Sequence, residues 1–318
     1  MTMTEIHRIE FETDWPPWHV AAYLLAGEDG ETVLVDAGAP GDRGWDELTD
    51  GLAGAGVAPE DLDHLLITHP HTDHDGLVER IVEAADPTVY TPRSVQERLR
   101  MDTSRLSERV ERNARAAGLN DDAVSKYVEQ AVDSVERNRE CFPPACVDVP
   151  LEPGQVFEAG DWEFEVVHTP GHQRDHACFA AEKWLFAGDQ VIEPFRAAAL
   201  NVGLDDGVFD AISEFYEGYR RLEGRSFDTV YPGHGPVFDD FEGVVQQSVA
   251  DLDDLVSEVS ETLAELAPAT CLDIEETRTE ARYDYTLFET VGALGHLTDR
   301  GRAVFRVEDG VRYYEPAE

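Results

Sequence analysis

An α/β fold is predicted for this chain, and three observations carry the prediction. Short apolar runs, among them Val33-Leu34-Val35, Leu65-Leu66-Ile67 and Trp184-Leu185-Phe186-Ala187, have the composition of buried strands. Between them lie longer stretches with helical spacing of apolar residues, as in Leu77 to Ala85 and Phe209 to Leu222. Several strand-like runs end in a glycine or proline turn that delivers a histidine or aspartate, so the sheets present polar side chains at their strand ends. At 318 residues the chain accommodates one large domain, placed at 1–240, and a small appendage, 241–318.

In chain order, a strand is expected over Ile6 to Glu12, followed by the proline-stiffened loop Trp15-Pro16-Pro17-Trp18. The two tryptophans either cover a sheet edge or line a substrate pocket, where rigid aromatics give apolar contact at little entropic cost. His19 to Ala26 and Thr32 to Asp36 read as a hairpin around Gly27-Glu28-Asp29-Gly30. A helix follows over Gly44 to Ala55, and a strand over Thr88 to Thr91. Arg93 to Glu140 is strongly helical and is broken at Gly118-Leu119-Asn120, which predicts two or three helices. Gly154 to Gly160 has turn chemistry, and strands are expected over Trp162 to Val167, His176 to Ala181, Lys183 to Ala187 and Thr229 to Tyr231. Asn201 to Leu204 reads as a loop. The appendage is predicted as a long amphipathic helix, Phe241 to Leu266, a second helix near Tyr283 to Asp299, and a hairpin, Ala303 to Tyr314, turning at Asp309-Gly310.

The formal net charge is −42 and the pI near 4.3, with Lys126 and Lys183 the only lysines. The carboxylates are interspersed with ordinary apolar periodicity, so they read as a solvated face suited to a very salty cytoplasm, where salt screens self-repulsion. Residues 241–318 offer as basic groups only Arg278, Arg282, Arg300, Arg302, Arg306 and Arg312. Nucleic-acid affinity requires a basic face, so a packing or dimerisation module is the better reading of this segment. The N-terminus carries no secretory pattern and no stretch is apolar enough to span a membrane; a soluble cytoplasmic protein is expected. Cys141, Cys146, Cys178 and Cys271 lack paired spacing and are expected to be free thiols. No phosphate-cradling glycine loop and no Gly-x-Ser-x-Gly elbow occurs, so serine-nucleophile hydrolysis has no candidate.

The densest chemistry is Thr68-His69-Pro70-His71-Thr72-Asp73-His74-Asp75-Gly76, which packs three histidines and a carboxylate between His69 and His74 on a strand-to-helix loop. Imidazole and carboxylate suit borderline-soft divalent cations, and alternate side chains of the loop can face two different ions. A polar loop in which Asp73 merely caps a helix is the bland alternative.

Together with four further segments this cluster resembles the signature of the metallo-β-lactamase fold hydrolases. Val33-Leu34-Val35-Asp36-Ala37-Gly38 is similar to the family's first motif, His69-x-His71-x-Asp73-His74 to the second, and His168-Thr169-Pro170-Gly171-His172 to the third. Phe186-Ala187-Gly188-Asp189 and Tyr231-Pro232-Gly233-His234-Gly235 are similar to the fourth and fifth. The resemblance covers roughly residues 5–240 and is nearest to a branch with an extra C-terminal winged-helix-like segment. It implies a four-layer αββα sandwich with a helical insert at 93–140, which either covers the site or makes a dimer contact. It also implies two metal ions. His69, His71 and His172 would hold one, Asp73, His74 and His234 the other, and Asp189 would bridge them. Zinc is favoured by the histidine majority, with iron or manganese admitted in one site. Asp36 is given a supporting role toward the ligands, and His176 is either a core histidine or a residue that supports the ligands or touches substrate.

The implied chemistry is attack by a water shared between the ions on a thioester, ester or lactone carbonyl of a small molecule, with Asp73 orienting it. The acidic charge argues against the alternative of a metal-dependent ribonuclease or phosphodiesterase, which the winged-helix branch suggests. The intact ligands argue against a non-catalytic metal-binding protein. Antibiotic hydrolysis ranks lower still, and oxygen chemistry would need a flavin domain for which there is no room. The expected partner is a small-molecule substrate, with neither nucleic acid nor membrane, and a homodimer is allowed.

Overall fold

A computed structural model describes residues 6–27, 30–279 and 283–317. The elements are β1 (Ile6–Glu12), β2 (His19–Ala26), β3 (Thr32–Val35), α1 (Gly41–Gly54), β4 (His64–Leu66), α2 (Thr72–Asp75), α3 (Val78–Ala85), β5 (Thr88–Pro92), α4 (Arg93–Leu99), α5 (Thr103–Ala116) and α6 (Asp121–Cys141). There follow β6 (Val149–Leu151), β7 (Val156–Ala159), β8 (Trp162–His168), β9 (Ala177–Ala181), β10 (Trp184–Gly188), β11 (Asn201–Leu204), α7 (Ala211–Leu222) and β12 (Thr229–Pro232). The chain ends in α8 (Phe241–Leu266), α9 (Cys271–Arg278), α10 (Asp284–Asp299), β13 (Ala303–Glu308) and β14 (Val311–Pro316).

Two sheets stack face to face. The first is six-stranded in the order β1-β2-β3-β4-β5-β6, and the second five-stranded in the order β12-β10-β9-β8-β7. The first begins antiparallel and becomes parallel from β3 onward, which places the ends of β3, β4 and β5 along one rim. Both faces of β2 are covered: Val20, Ala22 and Leu24 pack outward with Leu48 and Leu52 of α1, while Ala21, Tyr23 and Leu25 point to the second sheet. There they meet Phe157, Phe164, Phe179 and Phe186. Alternation continues in β10, where Phe186 faces the sheet interface and Leu185 and Ala187 face a helical layer. Each valine, leucine or phenylalanine side chain so buried contributes roughly 1.5–3 kcal/mol. The result is the expected αββα sandwich.

The outer helical layer is wider than the sequence suggests. Leu106 and Val110 of α5, Phe215 and Tyr219 of α7, Leu252 and Val256 of α8, and Leu287, Val291 and Leu294 of α10 join one core with Leu185 and Val230. Helices α8 to α10 and the β13–β14 hairpin therefore pack onto the second sheet through the same core as α7 and the insert.

Several expectations change in detail. Residues 72–75 form one helical turn, with the His74 and Asp75 amides both donating to the His71 carbonyl (2.8 and 2.9 Å), instead of an open loop. Asn201–Leu204 is extended, and Val156–Ala159 within the expected turn region is a strand that pairs with β8. Helix α9 is additional. Its start is marked by Thr270, which accepts from the Asp273 amide while the Asp273 carboxylate accepts from the Thr270 amide, a reciprocal cap legible as Thr-x-x-Asp. The turn expected at Gly27–Gly30 and the basic Arg282 fall wholly or partly outside the described residues. No helix among the described residues is long and apolar enough to cross a membrane.

Candidate metal centre

Strand ends from both sheets converge on one point of the rim. β4 leads through Thr68 to His69 and His71, α2 supplies Asp73 and His74, the turn after β8 supplies His172, β10 ends at Asp189, and β12 ends at His234. One potential ligand atom each from His69, His71, His172 and Asp189 lies within 4.8 Å of the others, and the same is true of Asp73, His74 and His234. Asp189 stands between the groups: Oδ2 is 3.3 Å from both His172 Nε2 and His234 Nε2, and Oδ1 is 3.4 Å from His74 Nε2. All seven residues predicted to hold metal are thus brought together.

The ring orientations are fixed from behind. His74 Nδ1 donates to Asp36 Oδ2 at 2.9 Å, His172 Nδ1 to the Ala198 carbonyl at 2.8 Å, and His234 Nδ1 to the His19 carbonyl at 2.6 Å. His69 Nδ1 lies 2.9 Å from Thr68 Oγ1, which itself reaches both oxygens of Asp36 at 3.0 Å. A proton held on each rear nitrogen leaves the front nitrogen, aimed inward, as the atom that would ligate an ion. Asp36 also accepts from the Thr68 amide at 2.8 Å and sits at φ +63, a left-handed conformation that aspartate tolerates at the end of β3.

The front of the site is incompletely satisfied among the described residues. His71 Nδ1 lies 3.0 Å from both His69 Nε2 and His172 Nε2, and three imidazole nitrogens cannot all satisfy one another at that spacing. His74 Nε2 and Asp189 Oδ1 are buried without a hydrogen-bond partner. Burial, reinforced by neighbouring imidazoles, holds His69 and His71 well below the usual histidine range. Burial would also lower His74, yet Asp189, Asp73 and Asp36 keep it well above that range. Burial would raise Asp189, but His234, His74 and His172 hold its carboxyl well below the carboxylate range. Buried carboxylates amid convergent lone pairs are stabilised by cations, and this mixed nitrogen and oxygen donor set fits divalent metal ions.

Two glycines make the approach possible. A Cβ at Gly188, whose φ is +46, would collide with His176 Nε2, and one at Gly233 would collide with Asp189 Oδ1 and the His74 ring. His176 does not enter the metal-facing group. Its Nε2 accepts from the Asp189 amide at 3.0 Å and its Nδ1 lies 2.8 Å from Thr169 Oγ1, so it fixes the backbone that carries Asp189.

A cavity of about 800 Å³ opens onto His71, Asp73, His172, Asp189 and His234. Trp15, Pro16 and Pro17 form one wall, Ser134, Arg137 and Asn138 of α6 another, and Phe195 to Ala198 with Leu200 a third. Tyr283 and Tyr285, stacked at 5.4 Å, lie at the C-terminal side with Glu289. The insert therefore contributes a wall of the site. Trp18, expected beside Trp15, does not line the cavity and is 61% exposed. The tight turn in which the Trp18 amide donates to the Trp15 carbonyl (2.8 Å) leaves Trp18 at φ +72, directed away. Roles for Thr68, His19, Phe195, Glu289 and the tyrosine pair were not legible in the sequence, because each acts on the ligands from behind or arrives from a distant segment.

Comparison with known proteins agrees with this fold. Residues 15–234 match the family model described as metallo-beta-lactamase superfamily. The atrochrysone carboxyl ACP thioesterase AgnL7 of Paecilomyces divaricatus is 25% identical over 229 residues, 71% of this chain and 54% of that protein. Lactamase-like protein aptB of Emericella nidulans is 25% identical over 278 residues, 86% of this chain and 68% of that protein. The chain spans about half the length of the thioesterases it matches. Among solved structures, a metallo-beta-lactamase family protein from Thermus thermophilus superposes with a TM-score of 0.79 at 22% identity, over 98% of each chain. A beta-lactamase domain protein from Burkholderia ambifaria gives 0.80 at 21% identity, over 99% of this chain and 93% of that one. At such identities the likeness is one of fold. Matched over more than half its length and carrying a buried donor set suited to divalent ions, the chain belongs to the metallo-beta-lactamase superfamily.

Proposed function

We propose that this protein hydrolyses an acyl thioester, or a related ester or lactone, of a small molecule. The observation that carries the reading is the cavity: the donor set lies at the floor of a recess walled largely by Trp15, prolines, Phe195 and a tyrosine pair, which suits an apolar acyl group. Relatives named as acyl carrier protein thioesterases support the same bond type.

In this reading His69, His71 and His172 hold one divalent ion and Asp73, His74 and His234 a second, with Asp189 shared; zinc suits the histidine majority. When bound, such ions supply Lewis acidity that polarises the carbonyl and makes water acidic near neutral pH. The protein's own part is positional. Asp36, Thr68 and the carbonyls of Ala198 and His19 hold the rear protons of the imidazoles, so the donor set is ordered before substrate arrives. Asp73, 8% exposed and facing the cavity, accepts a hydrogen bond from the attacking water and aligns it. The walls exclude bulk water from the acyl group, which strengthens each polar contact at the carbonyl. The terminal three helices and hairpin are read as a packing module of winged-helix type with no nucleic-acid role, consistent with the net charge of −42.

The test is a panel of acyl thioesters, esters, lactones and single-stranded RNA, run with zinc at low and high salt, with His69→Ala as control. Turnover of an acyl substrate that His69→Ala abolishes is expected. Metal-dependent RNA cleavage with every acyl substrate inert would overturn the reading.

A further inference from the structure

A carboxylate from outside the segment that matches the family model reaches the backbone beside His172. His172 Nδ1 donates to the Ala198 carbonyl at 2.8 Å, and the His172 carbonyl accepts from the Leu200 amide at 2.9 Å, so the imidazole and the 198–200 segment are locked together. That segment is held in turn by Glu289, on α10. Glu289 Oε1 accepts from the Ala199 amide at 3.0 Å and from Arg196 Nη2 at 2.8 Å. Both ionic side chains are nearly buried, at 8% exposed for Glu289 and 10% for Arg196, and Arg196 stands over the Phe215 ring.

The geometry of one peptide bond links these facts. The Ala198 carbonyl and the Ala199 amide belong to the same planar unit, and in a trans peptide they point in opposite directions. A carboxylate that captures the Ala199 N–H therefore fixes where the Ala198 oxygen points, and that oxygen receives the His172 proton. Hydrogen bonds in series also polarise one another, so a charged acceptor behind the amide makes the carbonyl a better acceptor in front. In many metal sites a carboxylate bonds directly to the rear nitrogen of the ligating histidine, as Asp36 does to His74. For His172 the carboxylate acts one peptide further back.

We propose that Glu289 is a positioning residue for His172, acting through the 198–199 peptide, and that α10 thereby completes the donor group of His69, His71 and His172. The inference rests on the reading of that group as an ion site. It assigns the terminal segment a part in the centre that its distance in sequence conceals, and it gives the Arg196 pair a purpose: the guanidinium balances the charge of the Glu289 side chain and holds it in place.

Two measurements on the full chain test this. In the first, zinc is titrated in competition with a chromophoric chelator into wild type and Glu289→Ala, and the cobalt-loaded proteins are compared by visible absorption. One of the two binding steps is expected to weaken about tenfold or more in the variant, the other to stay within about twofold, and the cobalt bands to shift. The second uses Glu289→Gln, which preserves shape and folding, in the zinc-free state. The His172 Nδ1 proton, assigned by its absence in His172→Asn, is expected to move upfield in the proton NMR spectrum as the charged acceptor is lost. Unchanged binding steps in Glu289→Ala, equal weakening of both steps, or an unmoved His172 proton in Glu289→Gln would each overturn the proposal. A wild type that takes up no zinc, alongside a shifted His172 proton, would instead remove the ion-site reading and leave the peptide relay standing.

Discussion

Asp36→Asn tests the ligand-supporting shell most sharply, because it changes one charge and almost no volume. The wild-type carboxylate accepts from His74 Nδ1 at 2.9 Å and from the Thr68 amide at 2.8 Å. Asparagine tolerates the left-handed backbone at φ +63, and its oxygen can keep the Thr68 amide. Its NH₂ then opposes the His74 Nδ1–H, so the tautomer that keeps a proton on Nδ1 and would leave Nε2 free for an ion loses its acceptor. A hydrogen bond to a charged partner is worth about 1.5–3 kcal/mol, and at about 1.4 kcal/mol per tenfold that predicts roughly 10–100-fold weaker binding of the ion held by Asp73, His74 and His234. The ion at His69, His71 and His172 is expected to hold to within about threefold, and folding stability to drop by only about 1–2 kcal/mol, since the buried Thr68 amide retains an acceptor. Competitive zinc titration resolves the two steps and urea unfolding with chelator present gives the stability. If the variant binds both ions as tightly as wild type, the tautomer argument is wrong; if it loses both steps together, Asp36 supports the fold and not one ligand.

Gly188→Ala places a methyl group against His176 at a positive φ, and destabilisation of about 2–3 kcal/mol in urea unfolding is expected; a variant as stable as wild type would show that the 188–189 turn adapts freely. Trp15→Ala is expected to raise KM about 5–30-fold at near-constant kcat, from roughly 1–2 kcal/mol of lost apolar contact, while Trp18→Ala changes neither; equal effects would contradict the cavity geometry. Burial pushes the Cys178 thiol up to about 12. The folded state thus holds this proton more tightly than the unfolded state, so the contribution is full below about pH 8.5 and is lost as pH rises toward the folded value. Urea midpoints between neutral pH and about pH 10.5 should therefore fall less steeply in Cys178→Ala than in wild type, and equal slopes would refute this. With a net charge of −42, raising potassium chloride from about 0.1 M to about 2 M is expected to raise Tm; a flat or falling Tm would show that self-repulsion does not limit stability.

What the sequence determined by itself is local. Strand-forming runs that end in a turn present the next polar side chain at a strand end, so the placing of His69, His71, Asp73, His74, His172, Asp189 and His234 at such ends was readable from their neighbours, while their grouping came from the resemblance to the family's motifs. Alternation in β2 and β10 likewise follows from the two-residue period of a strand with both faces covered. Helix α2 escaped because a single turn has no periodicity to detect, and α9 because its signal was a cap and not an apolar stripe. Tertiary structure alone decided the rest. The His19 carbonyl serves His234 across 215 positions, and Glu289 reaches the Ala199 amide across 90. These contacts involve backbone atoms, which every residue carries, and so leave no trace in residue type. The choice between Trp15 and Trp18 was equally hidden, since both satisfy the same composition rule and only the turn between them sends one into the cavity. Separation along the chain and the anonymity of the backbone are why the residues that converge on the rim, and Asp36 behind them, could be read while the backbone supports and Glu289 could not.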